Sequence, residues 1–303
     1  IAKCREFIDE MKRTEQTTSA NQLLKALTKK IEMKERRSLI DNVEGISTDE
    51  SISDQLLTDA KFLAQQVTLL EHDIFKKVRE VELVNKNWSR PNRQSLSPHI
   101  SGLAKWFNRM SNYVASRILL EDDIEKRKDT LTLMIEFGHE MYLINNFNGV
   151  FEVCSALESS SIHRLKKTWA RIDASVKNKF KEMKGIISGS NNFACIRERV
   201  RSVPPPCLPY IGIYLTDLTF IEDGNSDELN GKVNFIKRKK LAGVISDIKI
   251  YQQTPYKFEY DEQAQHYLKH LSSPYSKDGM YSRSLELEPR EKKQQQLVNN
   301  NPT

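Results

Sequence analysis

The stretch PPCLPYIGIYLTDLTFIEDGN, residues 205–225, decides the fold. Four prolines within residues 204–209 fix φ and remove backbone donors, so the chain approaches this stretch in an extended form. From Tyr210 to about Asp223 the sequence is free of proline and mostly apolar, and Gly224-Asn225 ends it, which predicts a helix. Downstream, Asn234 can cap a second helix, FIKRKKLAGVISDIKIYQQ, that stops at Thr254-Pro255. In it Phe235, Leu241, Val244, Ile248 and Tyr251 make one apolar stripe, and Lys237, Arg238, Lys239 and Lys240 make a run expected to face water. Two such helices joined by about ten polar residues predict an antiparallel helical hairpin. Its first arm is apolar nearly all round, which calls for burial on several sides or for a partner.

Working outward, apolar spacing of three and four continues. A helix is predicted from about Asp59 to Val78, with Phe62, Leu63, Val67, Leu70 and Ile74 on one face. Another starts at the N-cap Ser97 with Pro98 in its first turn and carries Ile100, Leu103, Phe107, Met110, Val114 and Ile118 inward. Further helices are expected at about residues 124–143, 151–157 and 166–183, the last with Trp169, Ile172, Val176, Phe180 and Met183 buried. Ser188 to Asn192 reads as a turn. Two short helices are expected near residues 1–11 and 21–35, a polar linker at 41–53, and a disordered, Gln/Asn-rich tail from 291 to 303. The first residue reads as a cut inside a longer protein.

The whole chain has 303 residues, 38% of them hydrophobic and 29% charged, with 12 Phe, 10 Tyr and 3 Trp, enough to build a core. Glycine fills only 11 positions, which disfavours folds that spend it freely, such as doubly wound nucleotide-binding sheets and propellers. Net charge is +6 with acids and bases interleaved, giving no basic stripe for nucleic acid. Four scattered cysteines make neither a disulfide framework nor a zinc motif, and read as free thiols in a reducing compartment. No apolar run reaches membrane-spanning length. Phosphate-loop, dinucleotide, nucleophile-elbow and HExxH motifs are absent from the sequence. His266 and His270 share a helical spacing but no third ligand is nearby, so neither metal nor cofactor is expected. Glu222 and Asp223, adjacent on a helix, point about 100° apart and are poorly placed to share one proton. The class expected is all-α, without covalent chemistry.

The hairpin, together with LAQQVTLLEHDIFKKV (63–78), ELVNKNW (82–88), SPHISGLAKWFNRMSNYVASRIL (97–119), NNFNGVFEVCSALESSSIHRL (145–165) and SLELEPR (284–290), resembles the catalytic domain of guanine-nucleotide exchange factors for Ras-type small GTPases, the Son of sevenless-like family. The resemblance covers about residues 54–290, with residues 1–37 similar to the closing helices of the exchanger motif that precedes that domain, and 38–53 a linker. It implies a multi-helix domain with a protruding hairpin that opens the nucleotide site of the GTPase. By position, Thr219 and Asp223 stand where the family disturbs the Mg²⁺ and phosphate sites. Ala104, Lys105, Asn108, Phe151, Glu158, Phe193 and Tyr210 stand where it grips the GTPase. Thr219 and Asp223 replace a leucine and a glutamate of Son of sevenless-type relatives, Ala104 a bulkier aliphatic residue, and Glu158 an asparagine. A non-catalytic GTPase-binding module of the same fold, or a helical scaffold, therefore stays open as an alternative. The expected partner is a Ras- or Rap-type GTPase, in the cytoplasm, with membrane recruitment left to that GTPase or to other segments.

Overall fold

Asp59 opens the first helix by accepting from the backbone N–H of Phe62 at 3.0 Å. In the computed structural model of the protein, which describes residues 58–271 and 273–290, this is α1 (Ala60–Phe75). It is followed by α2 (Pro98–Leu120), α3 (Ile124–Leu143), α4 (Phe147–Glu158), α5 (Ala174–Ile186) and α6 (Ser190–Ser202). The hairpin arms are α7 (Ile211–Gly224) and α8 (Phe235–Gln252), and α9 (Glu262–Lys269) and α10 (Lys277–Leu287) close the domain. Among the described residues the only strands are β1 (Glu228–Leu229) and β2 (Lys232–Val233), an antiparallel ribbon at the hairpin tip. The all-α expectation holds. The predicted segments at 1–37, 38–53 and 291–303 lie outside the described residues.

The main core is formed by the facing stripes of α1 to α4, with Leu63, Val67, Met110, Val114, Leu131, Met134, Phe137, Phe147 and Val150 among its fully buried side chains. Each contributes about 1.5–3 kcal/mol by leaving water. A second cluster roots the hairpin. Leu208 from the proline segment, Ile211 and Leu218 from the first arm, and Leu241 and Ile248 from the second pack on Phe75, Val78, Leu83, Ile100 and Leu103.

Several local expectations change. Ser97 does not cap α2 with its side chain; its hydroxyl donates to the Glu82 carbonyl at 3.0 Å. The cap comes instead from the buried Glu82 carboxylate, which accepts from the backbone N–H groups of His99 (2.9 Å) and Ile100 (3.4 Å). The single helix expected at 166–183 is two, Lys166–Ala170 and α5, separated where Asp173 takes an extended backbone (φ −63°, ψ 150°); the buried Glu288 carboxylate caps the first by accepting from the N–H groups of Lys167 and Thr168, both at 2.9 Å. The helix expected at 151–157 begins earlier, at Phe147, where Asn146 caps it by accepting from Gly149 N–H at 2.9 Å. Helix α6 was not anticipated between the 188–192 turn and the prolines.

In the hairpin, Leu241, Val244, Ile248 and Tyr251 of α8 pack inward as predicted, and its first turn departs. Asn234 caps α8 as expected, accepting from Lys237 N–H at 3.1 Å. Phe235, however, is 75% exposed, while Lys237 is 2% exposed. The Lys237 ammonium is drawn inward by Glu222 Oε2 at 2.8 Å and Asp227 Oδ1 at 3.1 Å, across the hairpin. The loop between the arms is a ribbon turning at Asn230-Gly231, both with positive φ (52° and 72°), the pairing that a tight two-residue hairpin turn demands.

Candidate functional site

The extended proline segment determines where the site sits. Leu208 pairs with Asn146 in a short parallel bridge, its N–H donating to the Asn145 carbonyl (2.9 Å) and its carbonyl accepting from Phe147 N–H (2.9 Å). The segment is thereby fixed to the N-terminus of α4, and Tyr210, two residues on, meets Phe151, one turn into that helix. Their rings stack with centroids 4.2 Å apart and 22° between planes. Phe193 joins Phe151 at 6.1 Å, and Phe107 of α2 joins Tyr210 at 5.7 Å. All four rings are half-buried. The structure thus assembles the three predicted aromatics, and adds Phe107, which helical periodicity had assigned to the core. Its position between the buried Trp106 and the exposed Asn108 at the edge of the α2 stripe was the available signal.

Phe193 reaches the patch through an unusual backbone. Helix α6 opens with Asn191, Asn192 and Phe193 in the left-handed region, at φ of 50°, 54° and 59°. Asparagine tolerates this; a phenylalanine does so at a cost of about 1–3 kcal/mol. Arg197 braces the turn. Its Nε donates to the Asn192 carbonyl at 2.8 Å, and its two terminal nitrogens grip Asp217 of α7 at 2.7 and 2.8 Å. This fork ties the Phe193 turn to the first hairpin arm.

Beneath the rings lies a buried acid pair, Glu71 of α1 and Glu152 of α4. Glu71 accepts from Trp106 Nε1 (2.8 Å) and Asn146 Nδ2 (2.7 Å), and Glu152 from Asn148 Nδ2 (2.9 Å). Burial, and then the neighbouring Glu71 carboxyl, hold Glu152 well above the usual carboxylate range; burial also raises Glu71. Burial, with Glu152 nearby, likewise raises the Tyr210 phenol.

The remaining predicted residues lie elsewhere on the surface. Ala104, Lys105 and Asn108 form an exposed strip of α2 beside Phe107, with the Asn108 amide donating to the Ala104 carbonyl at 3.0 Å. Glu158 ends α4, about 10 Å along the helix from Phe151, and pairs with Lys184 at 2.6 Å. Thr219 and Asp223 lie toward the far end of α7, Asp223 about 20 Å from Tyr210 along the axis. The Thr219 hydroxyl donates to the Leu215 carbonyl at 2.7 Å and is half-buried. Asp223 is exposed and accepts from Lys86 Nζ, while the Asn85 N–H donates to Glu222 Oε1 at 2.9 Å. The adjacent acids therefore serve different partners. Among the described residues no group of acids, histidines and cysteines could hold a metal, and no helix is long and apolar enough to cross a membrane.

The RasGEF domain family matches residues 62–239, which takes in the aromatic patch and the hairpin as far as the early part of α8. Relatives include Ras-specific guanine nucleotide-releasing factor 2 of Danio rerio, 36% identical over 229 residues (75% of this chain, 18% of that protein). Ras-specific guanine nucleotide-releasing factor 1 of Rattus norvegicus is 31% identical over 281 residues (91% and 22%). Ras guanine nucleotide exchange factor B of Dictyostelium discoideum is 35% identical over 254 residues (82% and 16%). The chain spans about a fifth of the length of these relatives. Assembled from a helical body, an aromatic patch at the hairpin root and an acid near the hairpin tip, the chain belongs to the RasGEF domain family.

Proposed function

We propose that this chain is a guanine-nucleotide exchange factor that binds a Ras-type small GTPase, of Ras or Rap kind, opens its nucleotide site with the α7–α8 hairpin and promotes GDP release and GTP loading. The observation that carries this reading is the joint presence, in a RasGEF domain, of an exposed-edge aromatic patch and a rooted hairpin bearing an exposed carboxylate. The names of the relatives point the same way.

The work divides between the two surfaces. Accelerating release by ~10⁵ requires about 7 kcal/mol of interaction realised only as the nucleotide leaves. Phe151, Phe193, Tyr210 and Phe107 supply an apolar anchor, flanked by Ala104, Lys105 and Asn108, with Glu158 as a charged rim. Asp223 supplies a carboxylate for phosphate-site groups that lose their anionic ligand, and Thr219, one turn away, stands toward the metal site and crowds it less than a leucine would. The bond changes are all non-covalent; the GTPase holds the nucleotide and metal. Membrane recruitment then follows the GTPase or other segments of the protein.

Release of a fluorescent GDP analogue from Ras, Rap and Ral proteins tests the reading. Tyr210→Ala or Phe193→Ala should weaken binding to the nucleotide-free GTPase by about 30-fold or more, about 2 kcal/mol, with helical circular dichroism unchanged. Asp223→Ala should slow release about tenfold while binding largely persists. Release at the intrinsic rate with every GTPase, in the presence of the intact chain, would sink the proposal.

A further inference from the structure

The Asp223 carboxylate does not stand alone in the free domain. The loop that follows the short helical turn Glu80–Leu83 places two consecutive residues, Asn85 and Lys86, in the left-handed region, at φ of 55° and 52°. This loop is braced from within. Arg90 Nε donates to the Asn85 carbonyl at 3.1 Å, Ser89 Oγ to the Lys86 carbonyl at 2.9 Å, and Asn87 Nδ2 to the Val81 carbonyl at 2.9 Å. It is also fastened to the hairpin by Asn85 N–H on Glu222 Oε1 at 2.9 Å. The Lys86 backbone is therefore held against α7, and its ammonium pairs with Asp223. Lys237, the nearby buried cation, is taken by Glu222 and Asp227, and Arg238 by Asp227 at 2.7 Å. Among the described residues Lys86 is thus the only cation paired with Asp223.

We propose that Lys86 is a restraining residue: it occupies the Asp223 carboxylate in the free domain, so that a GTPase must displace the Lys86 ammonium before Asp223 can engage the phosphate site. The inference rests on the reading of Asp223 given above. The last turn of α7 is where a negative charge is least favoured by the helix dipole, and the Lys86 ammonium offsets that charge until the partner arrives. Both side chains are partly exposed, 38% for Lys86 and 57% for Asp223, so the restraint is weak and reversible. It tunes the exchange rate without blocking it.

The test is a set of exchange assays with the chain of 303 residues and a Ras protein loaded with fluorescent GDP. Lys86→Asn removes the charge and keeps a residue that accepts the left-handed backbone; Lys86→Arg keeps the charge. At about 50 mM salt, Lys86→Asn should raise kcat/KM about two- to fivefold, and the gain should shrink at about 0.5 M salt, where the pair is screened. Lys86→Arg should stay near the parent rate. On an Asp223→Asn background, Lys86→Asn should have no effect. An equal loss of rate from Lys86→Asn on both backgrounds would overturn the proposal and make Lys86 a direct GTPase contact. No change from Lys86→Asn, with Asp223→Asn slow, would overturn the restraint alone; a normal rate for Asp223→Asn would overturn the role of Asp223 itself.

Discussion

At Gly212 the aromatic patch has no room for a methyl group. A Cβ there would lie 2.5–2.6 Å from the Tyr210 ring and hydroxyl. Gly212→Ala would add helix propensity to α7, up to about 1 kcal/mol, while pushing the Tyr210 ring off Phe151. The expected outcome is a melting temperature unchanged or raised, with affinity for nucleotide-free GTPase lowered about tenfold, or about 1.4 kcal/mol; calorimetry and a binding titration separate the two effects. Glu152 gives a pH signature. Its folded pKa is raised above the ordinary 4.5, so the folded state holds a proton that the unfolded chain releases. The stability this contributes is whole below pH 4.5 and is lost as pH rises from there through the folded value. Glu152→Gln, which imitates the protonated acid, should flatten that slope and raise the melting temperature relative to the parent at about pH 8; parallel pH profiles for the two proteins would exclude a raised Glu152 carboxyl.

Among the elements, the hairpin is where sequence pattern and structure part. The boundaries of α7 and α8 were legible, because proline, Gly224-Asn225 and the Asn234 cap are local signals. The inward face of α8 was legible as well, since Leu241, Val244, Ile248 and Tyr251 all join the second cluster; its first turn, with Phe235 outward and Lys237 inward, was not. What turns Lys237 inward is Glu222, fifteen residues earlier on the other arm. Helix α6 escaped notice for a related reason: only Ile196 and Val200 are buried on it, and its opening turn of Asn191, Asn192 and Phe193 reads as a loop until Arg197 and Asp217 are seen to brace it. The Asn230-Gly231 turn was readable and was submerged in a polar stretch. Removing the cation by Lys237→Met would leave Glu222, 7% exposed at its side chain, without its main counter-charge. A loss of about 3–5 kcal/mol is expected, measurable by urea denaturation. The paired change Lys237→Met with Glu222→Leu should recover most of it, since the buried pair itself contributes little net stability.

For the molecule as a whole, the all-helical class followed from apolar spacing and scarce glycine, and the aromatic trio from the resemblance to the exchange-factor family. The separation into two cores did not, because it depends on which stripes meet. The main core lies under the aromatic patch; the second holds the hairpin root, and the tip beyond it exposes Leu229 and Val233, 53% and 67% accessible. Hydrogen exchange should resolve this gradient: slowest in α2 to α4, intermediate in the first half of α7, fastest at 226–233. Equal protection of the tip and of α3 would contradict it.

The short bridge between Leu208 and Asn146 has a mechanical meaning. It stands three residues before the first residue of a rod of 14 residues, about 21 Å long, whose near end is packed and whose far end, carrying Asp223, is tied to the Asn85–Lys86 loop. Such a rod is a lever with its fulcrum under the aromatic rings. Rotation by about 10° there sweeps the far end through roughly 3–4 Å, more than the width of a water molecule. Under the exchange reading proposed above, a small adjustment of Tyr210 against a bound surface would be magnified at the Asp223 carboxylate and would work against its tie to the Asn85–Lys86 loop.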